Sequence, residues 1–257
     1  MAPIIIMTIE ASQLLLLLNW MSPAFPTGAF AYSHGLEWAI EDGAVSGADD
    51  LKQWIEDLIT CGSGWNDAVI FGRCWEDEAE ELNELALALC TSKERHLETT
   101  QLGRAFVIAA SIFFPSHPRM WGRGRGEGVA DPGEIADVSL ADGPPHPALS
   151  PANARERGTI AYPVAAGSAC AAMGVEKSHA LLAFLHGFCN ALVSVAVRLV
   201  PLGQTAGLEV IRDLMPVIAA TVERAAVATL DDLASITIGA DIAAMKHETQ
   251  HSRIFRT

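Results

Sequence analysis

Apolar residues recur along this chain at helical rather than strand spacing. In DDLKQWIEDLIT, Leu51, Trp54, Ile55, Leu58 and Ile59 fall at i, i+3, i+4, i+7 and i+8. That spacing draws one apolar stripe down a helix, with Asp49 or Asp50 placed to cap its N-terminus. Thr91 and Glu94 have capping-box spacing ahead of a helix through Phe106 and Ile112. From Lys177 to Val200 the chain is apolar nearly all round, which predicts a central, buried helix. Between Gln204 and Ala225 the helical period returns in Leu208, Ile211, Met215, Ile218 and Val222, and Pro216 is expected to kink or split the element. A last helix is predicted from Leu230 to Gln250, interrupted near Gly239. Strand patterns are confined to PIII at the start and ITI near 237, too short to build a sheet. The pattern therefore predicts an all-α fold, a single helical domain over 1–257 with roughly eight to ten helices.

One stretch departs from this. From Pro115 to Gly158 the chain is rich in Pro and Gly with little periodicity, and it reads as an irregular loop or insertion. Its GRGRGEG invites comparison with a dinucleotide fingerprint, but Gly122, Gly124, Gly126 and Gly128 alternate and never complete G-x-G-x-x-G. No G-x-x-x-x-G-K-[ST] occurs either, so the chain has no P-loop of its own.

Composition narrows the function classes. Half of the 257 residues are hydrophobic and 19% are charged, which suits a packed core rather than general disorder. The formal net charge of −14 would repel a phosphate backbone, so nucleic acid is not an expected partner. Cysteines stand at 61, 74, 90, 170 and 189, an odd number with no C-x-x-C, and read as small buried residues of a reducing compartment. The apolar start has no Lys or Arg before Lys52 and is interrupted by Glu10 and Gln13, so neither an export signal nor a membrane span is expected. A cytoplasmic location follows as an expectation.

The most provocative motif is HETQH, His247 to His251. On a helix the two histidines would lie one above the other and share a zinc ion, with Glu248 as general base. A catalytic zinc also needs a third protein ligand, and Ser252 to Thr257 offer none. A zinc-dependent hydrolase is thus one alternative reading; a nickel-binding carrier using scattered His and Cys is another. The bland reading of HETQH is the polar face of an exposed helix. Ser33–His34 and Ser178–His179 are adjacent in sequence, which is not triad geometry, and His186 sits in an apolar helix. No catalytic residue, metal ligand or cofactor is assigned.

The stretch NWMSPAFPTGAFAYSHGLEWAIEDG, Asn19 to Gly43, reads physically as a stiff turn region. Phe25, Phe30 and Tyr32 are expected to pack this loop onto the helices, and a helix follows from about Ser33 with Leu36, Trp38 and Ile40 inward. The stretch closely resembles the urease accessory protein F (UreF) family. LETTQLGRAF at 97–106, AYPVAAGSACAAMGV at 161–175, RLVPLGQT at 198–205 and ADIAAMKHETQHSRIFRT at the end look like that family's segments in order. The family usually has an aromatic where His251 stands, which makes HETQH look like an accident of one substitution.

The resemblance implies an all-helical, non-enzymatic maturation factor that forms a homodimer. It would join a second urease accessory protein (D/H) and the urease accessory GTPase (G) to support nickel insertion into the urease apoprotein. It also implies a partner-docking C-terminal tail, 246–257, that folds on binding the second accessory protein. The positions carried over are His247, Glu248, Gln250, Ser252, Arg253, Ile254, Phe255 and Arg256, with Phe255 as apolar anchor and the arginines as charged clamps.

Overall fold

The structure, a computed structural model, describes residues 9–113 and 159–256. The Pro/Gly-rich stretch read as a loop or insertion, 115–158, lies outside the described residues. Within them the chain is all-α, with ten α-helices, three short 3-10 turns and no strand.

The stripe beginning at Leu51 forms α3 (Ala48–Cys61), whose Leu51, Ile55, Leu58 and Ile59 are fully enclosed. Its N-cap is Gly47 rather than an aspartate. Asp49 and Asp50 lie in the first turn, where their charge complements the helix dipole. Asp50 also accepts from the N–H and hydroxyl of Ser46. Helix α4 (Ser63–Arg73) follows directly, and α5 (Ala79–Ala88) packs beyond it. Helix α6 (Lys93–Ala110) starts one residue later than the capping-box spacing suggests. Ser92 is its N-cap and accepts from the Arg95 N–H at 3.1 Å, while the Thr91 hydroxyl donates to Asp241.

Three helices build the rest of the core: α7 (Tyr162–Ala172), α8 (Lys177–Leu199) and α9 (Gly203–Val227). Helix α8 is central, touching α3, α4, α7, α9 and the short α2 (Leu36–Glu41). It is long and apolar enough to cross a bilayer, yet half of its most apolar window is buried inside the fold. The expected burial all round is thus only partial, and Leu182 on its outer face is 45% exposed.

Helix α9 departs from its predicted stripe. Ile211, Ile218 and Val222 are buried as expected, but Leu208 and Met215 are exposed and Val210 and Leu214 take their places. The cause is Gly207, which faces α8: a Cβ there would stand 2.8 Å from a Val197 methyl. Close approach at that glycine rotates the helix relative to its apparent stripe. Pro216 does not split α9, which runs unbroken through it. The proline sits on the exposed face, where a lost backbone hydrogen bond can be replaced by hydration.

The predicted last helix resolves into two pieces. A 3-10 turn at Leu230–Asp232, closed by a Thr229–Asp232 capping box, leads through an irregular segment to α10 (Ile238–His247). The interruption expected near Gly239 falls at 233–237, just ahead of it, and Gly239 itself lies in the first turn of α10. Near the start, α1 (Ala11–Trp20) buries Trp20 against Phe106 and Phe113. In the following loop Phe25 packs on Phe106 and Tyr32 is buried, but Phe30 is 69% exposed rather than packed inward.

Candidate functional site

The C-terminal tail lies where α2, α6, α8 and α10 meet, and its position starts with a backbone detail. His34 and Gly35 both have positive φ, 58° and 78°, which turns the chain sharply into α2. Gly35 also meets α10 directly: a Cβ there would lie 2.8 Å from the Ala244 amide nitrogen. Opposite it, α10 turns Ala243, Ala244 and His247 inward. Small residues on both sides let the helices close until Glu37, two residues on in α2, reaches His247.

His247 is completely buried, with Nε2 3.0 Å from Glu37 and Nδ1 2.7 Å from Glu94 on α6. Glu37 also accepts the backbone N–H groups of Ile254 and Phe255, at 2.7 and 2.9 Å. Glu94 accepts Arg253 at 2.7 Å, and Glu248 accepts the Lys93 N–H at the start of α6. Gln250 donates to Glu41. Phe255 is buried with the Arg198 guanidinium 4.4 Å above its ring, and that guanidinium also donates to the Phe30 carbonyl. The Arg256 N–H donates to the Ala31 carbonyl at 2.8 Å. The tail is therefore held by polar contacts to its backbone, by the Gln250 and Arg253 side chains and by one inserted ring.

Its opposite side is open. His251, Ser252, Arg253 and Arg256 are exposed, and Ile254 is 73% exposed. Helix α10 adds Ile238, Ile242 and Met245, exposed by 68%, 49% and 48%. At positions i, i+4 and i+7 these form one stripe. The helix thus turns its alanines to the core and its large apolar side chains outward.

A second polar cluster lies deeper. Arg95 pairs with Glu98 at 2.7 Å and Asp67 at 3.3 Å, and His34 joins it through Glu98 and the Ser63 hydroxyl. Burial favours the neutral Glu98 carboxyl, but the Arg95 charge, His34 and their hydrogen bonds outweigh it and bring the group down to about 2. Asp67 goes the other way: its burial outweighs Arg95 and raises it. The cluster borders a cavity of about 280 Å³ whose walls include Trp20, Met21, Tyr32 and Tyr162.

Comparison with known proteins bears on what this arrangement serves. A model of the UreF family matches residues 45–215. Urease accessory protein UreF of Brucella ovis is 42% identical over 251 residues, covering 96% of this chain and 95% of that protein. The UreF of Rhodopseudomonas palustris (strain BisA53) is 41% identical over 254 residues, covering 96% and 94%. The chain belongs to the UreF family. It is a urease accessory protein of that family, and the resemblance read from its five segments holds along nearly the whole chain.

In this UreF-family chain HETQH does not form the pair that a zinc hydrolase would need. Helix α10 ends at His247, so His251 lies beyond it and is exposed, while both ring nitrogens of His247 face carboxylates. Glu248 accepts the first amide of α6, from Lys93, instead of facing an open metal position. Among the described residues no group of three or more His, Cys, Asp or Glu is arranged to hold a metal ion. Thiolates, the ligand form of cysteine, are also disfavoured: burial raises Cys74 and Cys189 to about 12 and Cys90 to about 11.

Of the eight tail positions singled out by resemblance, the structure divides buried His247, Gln250 and Phe255 from exposed Ser252, Arg253, Ile254 and Arg256, with Glu248 half-buried. Phe255, expected as the anchor for a partner, is seated on this chain's own core, and Ile254 is the exposed apolar residue. Sequence reasoning missed Glu37, Glu94 and Arg198. Glu37 follows Gly35-Leu36 and precedes Trp38, where a carboxylate reads as the solvent side of a short helix. Only its place in a family segment marked it out.

Proposed function

We propose that this UreF-family protein works by binding, as a non-catalytic scaffold in urease maturation. It joins a second accessory protein of the D/H type and the accessory GTPase, and so supports nickel insertion into the urease apoprotein. The GTPase supplies the nucleotide chemistry, in keeping with the lack of a P-loop sequence here. The scaffold functions as a homodimer, a reading carried from the family resemblance.

The observation that carries the docking half of this reading is the inverted amphipathicity of α10. Ile238, Ile242 and Met245 keep about half or more of their surface outside this chain's own core, and an exposed row of large apolar residues beside a polar rim fits a protein interface. Arg253, Ile254 and Arg256 extend that face into the tail, adding one apolar anchor and two guanidinium groups. The D/H-type accessory protein is the occupant proposed for this surface.

Co-purification of the full chain with the D/H-type protein tests this. Removing Ser252 to Thr257, or replacing Ile242 and Ile254 by Asp, should abolish the complex while the far-ultraviolet circular dichroism stays helical. A complex that survives both changes would refute the docking surface. Stoichiometric zinc together with a hydrolytic activity lost in Glu248→Ala would refute the non-catalytic reading.

A further inference from the structure

We propose that Glu37 is the positioning residue of the tail: one buried carboxylate seats the last residues by binding their backbone. The inference rests on the docking reading above and adds the group that sets the docking conformation.

Two backbone donors and one histidine ring nitrogen converge on this side chain. Oε1 receives the Ile254 N–H at 2.7 Å, and Oε2 receives the Phe255 N–H at 2.9 Å and faces His247 Nε2 at 3.0 Å. Glu37 is 5% exposed with the tail in place, so its oxygens are satisfied by the chain's own groups rather than by water. The bonds go to consecutive main-chain amides, so they fix the path of the chain whatever the side chains are. At this point Phe255 turns into the core and Ile254 turns out. Glu37 thereby sets which of the two is offered to a partner. His247 links the same carboxylate to Glu94, and Glu94 holds Arg253, so tail, α10, α2 and α6 share one set of hydrogen bonds.

Glutamine is the discriminating replacement. It keeps the shape but places an NH2 group where one carboxylate oxygen stood, so at least one of the two backbone N–H groups would face a donor. The test uses the full chain, with residue-resolved amide exchange and co-purification with the D/H-type protein measured in parallel. In Glu37→Gln the Ile254 and Phe255 amides should exchange at least tenfold faster, exchange in α3 and α8 should not change, and recovered complex should fall at least tenfold. Should that variant fail to fold, Ile254→Pro removes one of the donors from an exposed position. It should speed Phe255 exchange by a similar factor with the helical signal intact.

Unchanged exchange at 254 and 255 overturns the assignment, whatever the binding result. Faster exchange with wild-type recovery overturns the positioning role. Deleting Ser252 to Thr257 separates this from the parent reading: if that deletion leaves the complex intact, the docking surface itself has failed, whereas the exchange data still judge Glu37.

Discussion

The α3–α4–α8–α9 side of the molecule and the α10–tail side are both helical, but they are held in opposite ways. In the first, large apolar residues face inward; Phe71 on α4 stacks on Phe184 of α8 with ring centroids 4.5 Å apart, and Leu181 and Leu185 are fully enclosed. In the second, alanines face inward, isoleucines face outward, and carboxylates supply the cohesion. Burial is non-directional and tolerant of repacking, whereas the tail depends on a few donors meeting a few oxygens. The first side is built to persist, and the second combines a specified geometry with an unsatisfied apolar face.

The contrast can be broken at either end. The largest effect is expected from Phe71→Ala, which should cost about 3–5 kcal/mol as a buried aromatic is lost. Chemical denaturation would measure it, and a loss below about 1 kcal/mol would mean this side is not packed as described.

Next comes acid. Glu98 is held at about 2 against an ordinary 4.5, so its contribution is full above pH 4.5 and drains away as the pH falls toward 2. The loss is on the order of 2–3 kcal/mol, offset in part by Asp67, whose raised pKa acts in the opposite sense. Denaturation midpoints across that window, compared with Glu98→Gln, should show a shallower slope in the variant.

A smaller and more local effect is expected from Gly35→Ala. A Cβ at positive φ costs about 1–2 kcal/mol, and here it would also press on Ala244. Amide exchange should rise in α10 and the tail before it rises in α3 or α8. Uniform exchange through all helices would show that the two sides are not separable.

Smallest in stability is Ile242→Ser, expected within about 0.5 kcal/mol because the side chain is half exposed. Its effect should appear instead as weaker recovery of the D/H-type protein.

Legibility from sequence follows the same division. The stripe from Leu51 to Ile59 marks a buried helix because burial repeats with the helical period. Leu208 and Met215 mislead because a periodic pattern does not record Gly207, and it is the glycine that decides how α9 leans on α8. The helical segment ending at His247 is visible as a motif, yet its inward face is alanine and histidine, a polarity that hydrophobic patterning cannot rank. The role of Glu37 is not readable at all from local spacing, since its partners are supplied by residues at the other end of the chain. Charged groups announce themselves in sequence as surface, and only tertiary contact reveals the ones that are enclosed.

The contact between Gly35 and Ala244 has a consequence for how such a chain can drift over time. A methyl group admitted at 35 requires the backbone at 244 to withdraw, which a substitution at 244 alone cannot arrange. The two positions form a lock that random change opens only by moving a whole helix, so variants tolerated at one should be rare, and should carry compensating shifts along α2 or α10 when they occur.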